Sequence, residues 1–108
     1  MKAGFAGANL RGVSFAGSDL EQTNFYQANL RQSLLRGSSL FRANLRQSNL
    51  EGAQLAGSNL QCASLGGAHG DGVGLDGALL DGTVLPNQAR VIPVTIGRRK
   101  DVALRCST

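Results

Sequence analysis

Tryptophan is absent from this chain of 108 residues, Met, Tyr and His occur once each, and Pro and Cys twice each. With 15 Gly besides, the composition argues against an ordinary packed core, although the length is that of one domain. No apolar run approaches the roughly 18 residues of a membrane-spanning helix. Met1-Lys2 is not followed by an apolar signal region, so the cytoplasm is the default location. Two cysteines, Cys62 and Cys106, make no disulfide framework, and nothing near either marks a reactive thiol. The lone histidine, His69, lacks the companions that a metal site or a general base requires.

Acidic residues are also scarce, seven against eleven basic ones, giving a net charge of +4. That excess is not spread evenly. Residues 1–85 hold six of each sign, while residues 86–108 hold Arg90, Arg98, Arg99, Lys100 and Arg105 against Asp101 alone. The repeat region is neutral and the tail is basic.

What the chain does have is a beat of five. Phe5, Leu10, Phe15, Leu20, Phe25, Leu30, Leu35, Leu40, Leu45, Leu50, Leu55, Leu60 and Leu65 stand in register, Gly70 interrupts, and Leu75, Leu80 and Leu85 resume. Of the seventeen positions from 5 to 85, sixteen are Leu or Phe. A helix buries residues at a period of 3.6 and a strand at a period of two, and five fits neither over this length. It fits a chain that makes the same inward turn at every repeat, so that each Leu or Phe points at one axis. The residue two before each large one is always small: Ala, Ser, Thr or Val. One large and one small side chain per repeat suits a narrow interior. The residue after the large one is mostly polar or charged, as an outward position should be, and the next is mostly Gly or Gln.

Units such as Ala28-Asn29-Leu30-Arg31-Gln32, Ala43-Asn44-Leu45-Arg46-Gln47 and Ser58-Asn59-Leu60-Gln61-Cys62 resemble the pentapeptide-repeat family, from residue 3 to about 85. The resemblance implies an all-β fold, a right-handed quadrilateral β-helix with four repeats, and so twenty residues, to each coil. Seventeen repeats make about four coils, a rod roughly 20 Å tall at the usual strand spacing. Residues twenty apart then stack. Gly17, Gly37, Gly57 and Gly77 fall on one edge, Asn9, Asn29, Asn49 and His69 on another, and Ser18, Ser38 and Ser58 in an interior ladder. Leu34, Leu79, His69-Gly70 and Val84 depart from the pattern, so irregularity is expected, mainly past residue 66.

The expected organisation is a solenoid over residues 1–87 and a basic tail or cap over 88–108. Pro86-Asn87 breaks the repeat, residues 91–96 are β-prone, and Gly97 to Asp101 reads as a charged turn. The other end has no cap. Phe5, Phe15 and Phe25 cluster there and suggest an end-to-end homodimer.

The chemistry-bearing strings reduce to scaffold. Gly72-Val73-Gly74-Leu75-Asp76-Gly77 matches a dinucleotide-binding string but lacks the strand before it and the helix after it. Asp71, Asp76 and Asp81 lie on three successive sides and cannot share one ion. Arg31, Arg36, Arg42 and Arg46, with Tyr26 and Phe41, form the best binding candidates, since cations interleaved with aromatics hold phosphates and stack bases. A coil sets these arginines on four different sides, a belt rather than a patch. Arg31 is expected near Glu51, and Tyr26 near Arg46. Arg98, Arg99 and Lys100 are the tail's candidate surface.

The functional expectation is a non-catalytic rigid scaffold that presents a surface to a protein partner, with no cofactor and no metal. The resemblance offers one specific alternative, since some family members protect DNA gyrase from quinolones by resembling duplex DNA. The neutral repeats and the short rod oppose it, because a DNA mimic should be strongly negative. Nucleic-acid binding through the arginine belt and basic tail ranks below that, and an enzyme below both, for want of a pocket and paired groups.

Overall fold

The computed structural model describes residues 4–70, 73–79 and 83. Within them the backbone closes on itself every twenty residues. Parallel bridges join Gly4 to Asn24, Asn9 to Asn29, Ser14 to Leu34 and Asp19 to Ser39, and continue in this register to Asn59–Leu79. Every bridge falls on the residue just before the central one of its repeat, a Leu or Phe except at Gly70. The result is a four-sided solenoid. The first side holds the repeats centred on 5, 25, 45 and 65. The second holds those on 10, 30, 50 and 70, the third those on 15, 35, 55 and 75, and the fourth those on 20, 40 and 60.

The corners explain why five residues suffice. The N–H of the small residue donates to the carbonyl of the large residue three before it, as in Ala28 to Phe25 at 2.9 Å and Ser48 to Leu45 at 3.2 Å. Such a turn with its third residue at positive φ is type II. That third residue is Gly7, Gly12, Gly17, Gly37, Gly52, Gly57, Gly67 or Gly77, or else Gln22, Gln27, Gln32, Arg42, Gln47 or Cys62, all between 55° and 73°. Glycine takes this conformation without steric cost. Glutamine does not, and at Gln27 a bond from its Nε2 to Gln47 Oε1 one coil below, 3.3 Å, helps hold it.

Asparagine before the large residue has its own local task. Its Oδ1 accepts the N–H two residues on, at 3.0 Å for Asn24 to Tyr26 and 3.2 Å for Asn29 to Arg31. This N–H has no coil-to-coil partner, so the side chain satisfies it. Asn29 Nδ2 also donates to Asn9 Oδ1 at 3.2 Å, and Asn44 Nδ2 to Asn24 Oδ1 at 3.4 Å, which ties neighbouring coils.

The interior is filled by the large residues. Phe25, Leu30, Leu35, Leu40, Leu45, Leu50 and Leu60 are fully enclosed, and Leu55, Leu65 and Leu75 nearly so. Ala28, Ala43, Ala53, Ala63, Ala68 and Ala78 fill the space between them. The irregularity expected past residue 66 is absent among the described residues. Asn49 still bridges His69, Gln54 bridges Gly74, and the turn from Gly70 to Val73 closes at 3.2 Å. Backbone pairing carries the coil through Gly70 without a side chain. Leu80, Leu85, Val84, the tail and the proposed cap lie outside the described residues.

Ser18, Ser38 and Ser58 stack in the register that their spacing predicts, but the hydroxyls of Ser38 and Ser58 are not bonded alike. Ser38 stacks above Ser58, yet Ser38 Oγ donates to the Leu35 carbonyl at 2.7 Å, in its own turn, and Ser48 Oγ does the same to Leu45. The hydroxyls of Ser33, Ser58 and Thr23 are buried without a partner. An enclosed hydroxyl without a hydrogen bond is a net cost. Ser58→Ala is therefore expected to keep or raise the urea midpoint, whereas Ser48→Ala lowers stability by about 1 kcal/mol. A larger loss in Ser58→Ala than in Ser48→Ala would contradict this account.

Candidate interaction surface

Three positions of each repeat face outward: the bridge residue and the two corner residues. The sides differ in what they carry. On the first, Tyr26 stands above Arg46, with Asn24 above Asn44 and Gln27 above Gln47. On the second, Arg11, Arg31 and Glu51 run down one edge. The third carries Leu34 and Arg36 on an edge otherwise lined by Gly17, Gly37, Gly57 and Gly77. The fourth carries Phe41, Arg42, Gln61 and Cys62.

The structure thus places Arg31, Arg36, Arg42 and Arg46 on four separate sides, and each meets a different environment. Arg31 Nη2 lies 3.0 Å from Glu51 Oε1, one coil below. Both side chains are close to half exposed, so this pair contributes at most about 1 kcal/mol. The Arg42 guanidinium lies 5.3 Å from the centre of the Phe41 ring, within cation–π range. Arg36 and Arg46 project from exposed positions.

Tyr26 stacks above Arg46, as the spacing predicts. Its hydroxyl donates to Gln47 Oε1 at 3.5 Å. Arg46 extends toward the next coil, where a Cβ placed on Gly66 would be 3.9 Å from its Nε. Arg98, Arg99 and Lys100 lie outside the described residues.

Two features go beyond the sequence reading, which marked Leu34 only as a departure from the repeat. Leu34 is 38% exposed and, with Tyr26 at 36%, is one of the two large apolar side chains most open to water. Its signal was present, since it occupies a bridge position that is most often Asn or Ser. The second is covalent. Cys62 is disulfide-bonded, a state that the sequence left open. The chain's other cysteine, Cys106, lies outside the described residues.

Val73 and Leu75 of the glycine-rich string are buried in the solenoid interior, and Gly74 bridges Gln54. His69 is exposed, and its backbone pairs with Ser48 and Leu50. Among the described residues no three His, Cys, Asp or Glu gather as a metal site, and no helix is long and apolar enough to cross a membrane.

A four-sided parallel coil, twenty residues per turn, with type II corners and a Leu/Phe axis defines the quadrilateral β-solenoid class. The chain belongs to the pentapeptide repeat family: the family's model, with eight copies of the repeat, matches residues 3–37, 38–69 and 48–87. A pentapeptide repeat protein from Nostoc Pcc 7120 is similar at 40% identity and a TM-score of 0.77, over 79% of this chain and 71% of that one. A pentapeptide repeat protein of the Arabidopsis thaliana thylakoid lumen is similar at 28% identity and a TM-score of 0.76, over 94% of this chain and 71% of that one. QnrB1, a plasmid-mediated fluoroquinolone resistance protein, shares the fold at 22% identity and a TM-score of 0.59, over 76% of this chain and 53% of that one. No protein of curated function matches the chain. The coil is right-handed, as in these pentapeptide-repeat relatives.

Proposed function

We propose that this protein is a non-catalytic scaffold whose rigid outer sides bind a protein partner, and that a coil end of the solenoid pairs with a second copy of the chain. One observation carries the reading. The interior is closed by Leu, Phe and Ala, while the recognisable side chains stand on flat outer sides held by coil-to-coil hydrogen bonds. A partner docking there meets preordered side chains and loses little to their immobilisation. Tyr26 and Leu34 supply apolar anchors, each with an exposed arginine on its own side, Arg46 and Arg36. Aromatic and arginine side chains are enriched among the residues that dominate binding.

The disulfide at Cys62 favours an oxidising compartment, because cytosolic thiols are held reduced. It weighs against the cytoplasmic location read from the sequence.

The test is affinity capture with the intact protein, read by mass spectrometry, beside the Tyr26→Ala/Leu34→Ser double variant. A partner held by the wild type and at least tenfold depleted on the variant is the expected result. Equal recovery on both removes these two sides from the interface. Gyrase supercoiling is expected to be unchanged at micromolar excess of the protein. The repeat region carries no net charge and so lacks the field of duplex DNA. Inhibition there would replace the scaffold reading with the DNA-mimic one.

A further inference from the structure

The third side is the plainest of the four, and what it does carry is ordered. Leu34, Gln54 and Gly74 follow one another down three coils, joined by the parallel bridges Leu34–Gln54 and Gln54–Gly74. Arg36, Ala56 and Asp76 run beside them, and the corner column is glycine throughout. Among the described residues of this side Arg36 and Asp76 are the only charged ones. Both are exposed, and neither has an ion-pair partner among the described residues. Leu34 stands out into water, whereas Gly74 has no side chain and a Cβ there would meet nothing within 4 Å. Gln54 and Ala56 thus lie midway between a knob and a recess, and midway between a cation and an anion. Each member stands one coil, about 4.8 Å, from that middle line.

A face on which opposite features stand at equal distances from a middle line is complementary to itself. Turned over about that line, the knob meets the recess and the cation meets the anion, twice each, which is the condition for a two-fold interface. We propose that two copies pair side to side through their third sides, with the rods antiparallel, about a two-fold axis that crosses the side along residues 54–57. The proposal rests on the reading that the outer sides are interaction surfaces, and it assigns the third side to a second copy. Tyr26 and Arg46, on the first side, stay free for a different protein.

In this arrangement Leu34 of each protomer lies over Gly74 of the other, and Arg36 of each faces Asp76 of the other. On the axis the two Gln54 amides exchange hydrogen bonds, and the two Ala56 methyls touch. The glycine corners, Gly37 against Gly77 and Gly57 against its copy, let the two walls approach closely. Charge selects this axis. A two-fold axis along the rods would keep every residue at its own height and so bring Arg36 beside Arg36 and Asp76 beside Asp76. The edge toward the second side adds little of its own, because Arg31 and Glu51 there satisfy each other at 3.0 Å. One side of the solenoid is narrow, so the pair belongs with the weak interfaces that bury less than about 1,200 Å², and half-association is expected at roughly 100 micromolar.

Light scattering of the intact protein at low salt, over a concentration series reaching several hundred micromolar, tests the pairing. The mass is expected to rise with concentration. Arg36→Glu sets a carboxylate against Asp76 twice and should weaken the association at least tenfold. Arg36→Glu/Asp76→Arg exchanges the two charges and should restore it, which separates a lost interface from a damaged fold. A short bismaleimide locates the contact. Gln54→Cys, on the axis, is expected to give a two-copy band, with the wild type as blank. Ser14→Cys, in the same column but two coils from the axis, should give none, because its copies stand about 19 Å apart along the rods. A single-copy mass throughout, with no Gln54→Cys band, overturns the pairing. A mass rise that persists in Arg36→Glu with no Gln54→Cys band places the contact elsewhere, a coil end included, and overturns it too, as does failure of the exchanged variant to pair. Capture of a partner that Tyr26→Ala alone depletes reports on the scaffold reading separately, since Tyr26 lies on the first side.

Discussion

Leu45→Ala is expected to lower stability by about 3–5 kcal/mol and the melting temperature by more than 10 °C. Leu45 is fully enclosed near the middle of the first side. Its N–H bonds the Ser64 carbonyl below, and its carbonyl accepts both the N–H and the Oγ of Ser48. Truncation leaves a cavity in a wall that cannot collapse, because the neighbouring coils hold the backbone at fixed spacing. In a solenoid each coil contacts only its neighbours, so a weakened middle coil also uncouples the parts above and below it. Leu10→Ala is the comparison. Leu10 is partly exposed in the first coil, and its truncation should cost less than half as much. Urea unfolding followed by circular dichroism checks both. Equal losses at the two sites would mean that the coils do not stack as independent neighbours.

Gly67→Val is expected to cost about 2–4 kcal/mol, by a different route. Gly67 sits at a corner with φ of 71°, and a Cβ there would lie 3.1 Å from Gln47 Cγ. The Gln47 side chain is flexible and can yield. The positive φ cannot, because it closes the type II turn, and a β-branched residue is a poor occupant of that region. The reverse change at an equivalent corner, Gln22→Gly, relieves the same backbone strain. It also gives the unfolded chain more freedom, so stability should move by less than about 1 kcal/mol in either direction. Thermal melts of the two variants separate backbone strain from lost contacts. A Gly67→Val protein that melts with the wild type would show that the corner does not demand positive φ.

These two predictions sit on parts of the molecule that were unequally legible. The inward set from Phe5 to Leu75 could be read directly, because only burial on one axis accounts for Leu or Phe at every fifth residue. The corner was legible only as composition. Gly and Gln alternate there without explanation until the type II turn shows that both occupy positive φ. The small residues were read as filling, and they are. Which hydroxyls find a carbonyl was not readable, because side-chain rotation, not spacing, decides it.

The surface was harder. Stacking at twenty brings Arg31 to Glu51, and an ion pair forms. The same rule brings Tyr26 above Arg46, yet the Tyr26 hydroxyl bonds Gln47 and the Arg46 Nε lies toward Gly66 in the next coil. Stacking fixes which backbones are neighbours. A long exposed side chain still has several neighbours within reach and chooses among them by a few tenths of a kcal/mol.

The sequence by itself determined the axis and the small-and-large filling, since a period of five in apolar residues admits only a chain that turns inward at every repeat. The tertiary structure alone decided the rest. It fixed closure at four repeats through bridges between residues twenty apart, the choice of outward partners, the disulfide at Cys62 and the exposure of Leu34. The physical reason is range. Burial acts on each residue through its own position in the repeat, whereas these features require two residues from different coils to arrive at one place.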